Sequence, residues 1–273
     1  MRILLPAANA SFTIAADTTA PSIDVQTDTV GAHAWEWKMT WRTFSKSGKA
    51  STPQNCLDLK PVIADVGGTL HIIARAAGKV AQVIVKVIGT NPTVNDVTTY
   101  LASKPDSDGF AAIINHETHG RHFTPAGDPK RSFDNGYGIC QLTSPAPTFE
   151  QCWSWKRNID AGLVLFAQKR RAATKYLSDQ SRSYTNDQLR YETVSRWNGG
   201  AYHSWDGKSW VRNPDIVCDP QTGNIGWDMT DENNADQTVD QLHKRDGGDY
   251  RRGRRKGDPW IYSGVCYADA ILG

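Results

Sequence analysis

The sequence predicts an α+β chain: an N-terminal antiparallel β-sandwich of immunoglobulin-like type over residues 1–91, followed by a mainly α-helical domain over residues 92–273. Three observations carry this reading. Residues 34–42, AWEWKMTWR, alternate strictly, with Trp35, Trp37, Met39 and Trp41 on one side and Glu36, Lys38, Thr40 and Arg42 on the other, the pattern of a half-buried strand. Two further alternating runs, at 69–75 and 81–87, flank a Gly-Lys turn at 78–79 and read as a hairpin. Beyond the turn cluster Gly89-Thr90-Asn91-Pro92 the apolar spacing lengthens from two to about 3.6 residues, the helical period.

Ile23 and Val25, with Pro61 to Ile63, supply further candidate strands for the sandwich. The tryptophan row can serve as core or as a glycan-stacking face, and an alternating row in a strand favours core. After the boundary, Val94, Val97, Tyr100 and Leu101 mark a first helix. A second begins near Asp108. The longest helix is expected over 150–176, where Trp155, Ile159, Leu163 and Phe166 recur at helical intervals, and a shorter one over 186–197 uses Leu189, Val194 and Trp197. Residues 203–260 are polar with little periodicity, and the basic run at 251–256 reads as a solvated loop or a site for acidic envelope polymers. The stretch from Trp260 to Leu272 closes the chain as a last helix.

Composition narrows the function classes. The 273 residues are 39% hydrophobic and 22% charged, with mean hydropathy −0.53 and no apolar run of spanning length, so membrane insertion is not expected. A formal charge of +2 does not point to a nucleic-acid partner. The opening MRILLPAANASFTIAA has too short an apolar run for a standard secretory signal, which implies export by another route or a piece of a larger protein. Cys56, Cys140, Cys152, Cys218 and Cys266 show no metal-binding spacing, and no cofactor is expected. Cys140 with Cys152, or Cys218 with Cys266, are candidate disulfides, and buried free thiols are the alternative.

The chemistry concentrates in residues 109–143. Glu117 follows Phe110, Ile113 and Ile114 at helical spacing, which turns its carboxylate toward the core. Partial burial disfavours a charged carboxylate, and a carboxylic acid in such a place can donate a proton near neutral pH. Asp134 in Asp-Asn-Gly is the candidate base for activating water, with Asp128 on the same loop a second choice. Asp-Asn-Gly is also a turn sequence in its own right.

His116, His119 and His122 invite comparison with a zinc protease site. That motif needs two imidazoles four residues apart, and here Gly120 occupies the fourth position after His116. The three histidines are three apart, which drifts around a regular helix. Asp231 to Asp240 lacks the order of a calcium loop.

The segments Ile113-Ile114-Asn115-His116-Glu117-Thr118 and Gly136-Tyr137-Gly138-Ile139-Cys140-Gln141-Leu142, in this order, resemble the lysozyme-like superfamily, in particular soluble lytic transglycosylases and goose-type lysozymes. Thr118 replaces the usual Ser, and about fifteen residues of extra loop separate the two segments. Asn158-Ile159-x-Ala161-Gly162 is similar to the start of the helix that follows in lytic transglycosylases, and Trp197-Asn198-x-Gly200 is similar to a Tyr-Asn-x-Gly signature bordering the sugar cleft. Together these cover roughly residues 93–205.

The resemblance implies a lysozyme-like catalytic domain at 92–273 and a peptidoglycan muramidase that cuts between N-acetylmuramic acid and N-acetylglucosamine. Glu117 is then the acid, Tyr137, Gln141, Trp197, Asn198 and Tyr202 contact or wall the sugar, and no metal takes part. A lytic transglycosylase giving 1,6-anhydro products is the alternative. A zinc hydrolase and a non-catalytic wall-binding module are the other classes. Peptidoglycan glycan strands are the expected partner, met in the bacterial periplasm or on the wall as by antibacterial effectors and phage lysins, with an immunity protein or inhibitor as a possible second partner.

Overall fold

The computed structural model describes residues 1–132 and 135–273, and for Val62 and Arg251 the backbone alone. Two compact units result, one of Met1–Ser103 with Glu117–Gly162 and one of Lys104–His116 with Leu163–Gly273. The chain is a mixture of helices and sheets, and its N-terminal part is rich in strands.

The first unit holds β1 (Ile3–Leu5), β2 (Ser11–Ile14), β3 (Asp24–Thr27), β4 (His33–Trp41), β5 (Phe44–Thr52), β6 (Cys56–Asp58), the single turn α1 (Lys60–Ile63), β7 (Gly68–Ala76), β8 (Lys79–Gly89) and α2 (Val94–Ala102). One sheet runs β2-β8-β7-β4-β5 and a smaller one β1-β3-β6. The tryptophan row of β4 does face inward: Trp35 and Met39 are fully buried, and Trp37 and Trp41 are nearly so. Its register sets Trp37 opposite Ile72 and Met39 opposite Leu70, pairing apolar side chains on one face. Val25 of the small sheet and Val83, Val85 and Val87 of β8 join the same core.

Three expectations change here. The sheet is not wholly antiparallel, because β2 pairs with β8 in parallel. The β7–β8 turn centres on Ala77 and Gly78, both at positive φ, the two-residue geometry that matches strand twist. Pro61 to Ile63 is helical, not a strand. Pro61 sits in the first turn, where a missing N–H costs nothing, and the Asp58 carboxylate accepts from the Lys60 amide.

The expected helix over 150–176 is two helices, α4 (Phe149–Trp153) and α5 (Trp155–Leu177), separated by Ser154 in an extended conformation. Trp153 and Trp155 are both buried. Two positions along a continuous helix point about 200° apart, and the break lets both rings turn inward. Helix α3 (Phe110–Thr118) supplies its residues through His116 to the second unit and Glu117 and Thr118 to the first.

The rest of the second unit comprises α6 (Asn186–Trp197), β9 (His203–Trp205), β10 (Trp210–Arg212), β11 (Ile216–Cys218), β12 (Ile225–Asp228), α7 (Val239–Asp246), a 3-10 turn (Gly247–Arg252), β13 (Trp260–Tyr262) and α8 (Gly264–Leu272). Helix α6 starts where the sequence suggests, capped reciprocally by Thr185 and Gln188. The polar stretch 203–260 is more ordered than expected, with β9–β10 a hairpin and β11-β12-β13 an antiparallel sheet. Trp260 begins a strand, not the last helix. Cys218 and Cys266 form a disulfide with Cα atoms 5.3 Å apart, whereas Cys140 and Cys152 are buried free thiols.

Candidate functional site

Glu117 lies one residue before the end of α3, half-buried, with Phe110, Ile113 and Ile114 fully or almost fully buried on the preceding turns. The helix stops because His119 and Gly120 adopt positive φ. Its last carbonyl, that of Thr118, accepts from the Arg121 amide at 3.2 Å and from Lys130 Nζ at 3.1 Å, a cation at the end of a helix that carries partial negative charge. Desolvation, with the nearby Arg121 charge, lowers the Lys130 pKa. The Thr118 hydroxyl donates to the Ile139 carbonyl at 2.9 Å. The residue beside the glutamate is thereby bonded directly to the glycine-rich segment.

That segment closes on itself. Tyr137 and Leu142 exchange backbone hydrogen bonds at 3.0 Å, and the Gly138 amide donates to the Lys130 carbonyl at 2.9 Å. Asn158, fully buried on α5, accepts from the Cys140 amide at 2.9 Å and donates to the Tyr137 and Gln151 carbonyls at 3.1 and 3.0 Å. Gly138 has φ 74°, and a Cβ there would stand 2.5 Å from both the Asn158 amide and the His122 ring. Only glycine fits.

His122 is fully buried and its tautomer follows from its partners. The Ile139 amide can only donate, so Nδ1 accepts at 3.0 Å; the Cys152 carbonyl can only accept, so Nε2 carries the hydrogen at 2.8 Å. Burial lowers its pKa to about 3, and the ring is neutral. Both nitrogens are occupied, which leaves none for a metal. His119 lies past the helix end and His116 stacks edge-on against Tyr267. Among the described residues no group of three or more His, Cys, Asp or Glu is arranged to hold a metal ion.

Glu117 and the segment also meet electrostatically. Burial, and after it the negative charge of Glu117, push the Cys140 thiol well above its ordinary pKa. Gln141, half-buried with φ 49°, donates through Nε2 to the Gly138 carbonyl at 2.6 Å. The Tyr137 ring packs edge-on against Trp41 and Phe44 at 5.8 and 6.2 Å, with the Arg131 guanidinium over it. Asp128 accepts from Trp41 Nε1 at 3.0 Å. Asp134 lies outside the described residues.

The remaining candidates belong to the second unit. Trp197 packs against Phe110 and Phe166 at 5.4 and 6.3 Å. Asn198 caps α6 and its amide donates to the Asn224 side chain at 3.3 Å. Tyr202 is buried, its hydroxyl donating to Asp269 at 2.6 Å. Its amide donates to the fully buried Glu192, which also accepts from the His203 amide and pairs with Arg196 at 2.8 Å.

Glu117, Tyr137 and Gln141 thus fall in one unit, and Trp197, Asn198 and Tyr202 in the other. Sequence reasoning did not single out Lys130, Asn91 or Glu192. Glu192 had a signal, since it sits three residues after Leu189 on the apolar face of α6. Asn91, whose Oδ1 accepts from the His122 and Phe123 amides at 2.8 and 2.7 Å, had only its place in a turn cluster. No family model matches the chain, and no curated protein matches it significantly.

Proposed function

We propose that this protein is a peptidoglycan muramidase that hydrolyses the β-1,4 bond between N-acetylmuramic acid and N-acetylglucosamine, built from an immunoglobulin-like sandwich and a lysozyme-like domain. One observation carries the reading. Glu117, at the end of a helix with a buried apolar face, directly precedes Thr118, whose hydroxyl bonds the Ile139 carbonyl of the pinned turn 136–142 at 2.9 Å. A turn held by its own hydrogen bonds beside a half-buried carboxyl suits general acid catalysis, which needs a proton donor held at a fixed distance from the leaving oxygen.

In this scheme protonated Glu117 gives its proton to the bridging oxygen as the bond from that oxygen to muramic C1 breaks. Water adds to C1, and its proton passes to Asp134 as base. Gln141 is the segment's hydrogen-bonding side chain toward the sugar. The lytic transglycosylase route remains the second reading, favoured by the engagement of Asp128 with Trp41. In that route the muramic C6 hydroxyl attacks C1 and returns its proton to Glu117, leaving a 1,6-anhydro end.

The wall is the proposed site of action, and among the described residues no helix is long and apolar enough to cross a membrane. The test is mass spectrometry of soluble fragments from purified peptidoglycan treated with the wild type and with Glu117→Gln. The expected result is reducing muramic ends that fall by at least about a thousandfold in the variant. Anhydro ends replace the hydrolase with the transglycosylase. Absence of fragments with both proteins overturns the enzyme and brings forward a wall-binding module.

A further inference from the structure

Residues 249–258, DYRRGRRKGD, carry five cations against two aspartates within ten positions. Both aspartates are already engaged by one cation. Arg252 pairs with Asp258 at 3.0 Å through Nη1 and with Asp249 through Nη2. The same Asp258 accepts from the Arg255 amide at 2.7 Å, and Arg254 Nε donates to the Trp260 carbonyl at 2.9 Å. These bonds tie the loop to itself and to β13. Arg254, Arg255 and Lys256 are all exposed, and among the described residues none has a side-chain ion pair. Arg254 keeps one guanidinium nitrogen on the Trp260 carbonyl, and all three residues remain open to solvent.

A stretch this basic in a chain of net charge +2 is a local excess, and like charges held together repel one another. Arg252 with its two aspartates holds the loop in shape; the charge of Arg255 is felt by both carboxylates as well, and five cations still outnumber two anions. We infer that residues 254–256 form a docking surface for the carboxylate-bearing strands of peptidoglycan, an inference that rests on the proposed muramidase reading. The free carboxylates of the stem peptides repeat along each strand of that polymer. Guanidinium groups bind carboxylates through paired hydrogen bonds. The surface concentrates enzyme on the polymer without taking part in cleavage, and Glu117 lies in the other unit.

The experiment is cosedimentation with purified sacculi stripped of phosphate polymers, using Glu117→Gln so that the substrate stays intact, with and without Arg254→Gln, Arg255→Gln and Lys256→Gln together. The expected result is at least a tenfold loss of binding in the triple variant at 50 mM salt. Wild-type loop binding should also fall steeply by 300 mM, since exposed charges are screened within a Debye length of about 10 Å or less. An unchanged thermal midpoint shows that the fold is intact, and a triple variant that fails to fold is replaced by Lys256→Glu alone, read by the same loss.

Equal binding by the triple variant overturns the inference. So does loop-dependent binding found only with unstripped sacculi, with anionic lipid vesicles or with duplex DNA, each of which assigns the surface to a phosphate polymer. Cosedimentation and fragment release fail independently. Loop-dependent binding without fragments leaves the surface standing and removes the muramidase, whereas fragments with loop-independent binding do the reverse.

Discussion

The strands of residues 24–89 and the segment 203–262 both bury tryptophans, and they do so by different means. In the first, Trp35, Trp37 and Trp41 lie among Leu70, Ile72, Val83, Val85 and Val87, and the indole hydrogen bonds of Trp35 and Trp41 run to half-buried Thr52 and exposed Asp128. In the second, Trp227 donates its Nε1 at 2.8 Å to Asp246, a nearly fully buried carboxylate that Arg245 also grips. Asn234, fully buried, bridges the Asp228 and Pro259 carbonyls at 2.9 and 3.1 Å, and buried Asp219 accepts from His243. A disulfide is added to these. An apolar core tolerates change in proportion to volume, whereas a buried polar network fails when one partner is removed.

The largest effect that would sharpen this contrast comes from the disulfide. Cys218→Ser with Cys266→Ser should lower stability by about 4 kcal/mol, given a closed loop of 48 residues, with faster amide exchange over 203–262 and little change in β4 and β7. Faster exchange in the sheet instead would break the comparison. Next, near-isosteric changes should separate the regions. Asp246→Asn should cost about 2 kcal/mol, because one oxygen that accepts becomes a group that donates toward Arg245 and Trp227. Ile72→Val should cost about 1 kcal/mol. Denaturant titration of the two variants checks the order, and a reversed order contradicts the assignment of polar bonds to one region and packing to the other.

The last effect is read as a slope with pH and concerns a polar residue buried in the first unit. His122 is neutral when folded, with its pKa lowered to about 3, while an unfolded histidine titrates near 6.5. The unfolded chain therefore binds the extra proton below about pH 6.5, and stability is lost as pH falls from there toward 3. The slope attributable to this residue approaches about 1.4 kcal/mol per pH unit. His122→Gln should flatten stability measured between pH 6 and 4.5 relative to the wild type, and an unchanged slope means the ring is not held neutral.

Legibility follows the same division. The period-two pattern of AWEWKMTWR marked β4 because burial on one face imposes alternation, and the apolar face of Leu189, Val194 and Trp197 located α6. The segment 203–262 gave little periodic signal because its stabilising contacts run through Asp219, Asn234 and Asp246, and such residues normally read as surface. At the candidate site, Glu117 and the 136–142 turn were visible as residue types in order. Asn158 was visible only as part of a resemblance. That its amide bonds three backbone groups of two segments at once depends on tertiary placement, as does Lys130 reaching back to Thr118. Pro61 and Ser154 misled because a proline in a first helical turn and a break between two buried tryptophans leave no mark on an average period.

The disulfide has one more consequence, for proteolytic nicking. The peptide bonds after the four arginines and Lys256 of 251–256 are those a trypsin-like protease would prefer, and they lie inside the loop that Cys218 and Cys266 close. A cut there opens the backbone without releasing α8, because that helix carries Cys266. The severed chain stays a single covalent molecule until a reductant reaches it. Such a protein migrates whole on a non-reducing gel and in two pieces once thiol is added.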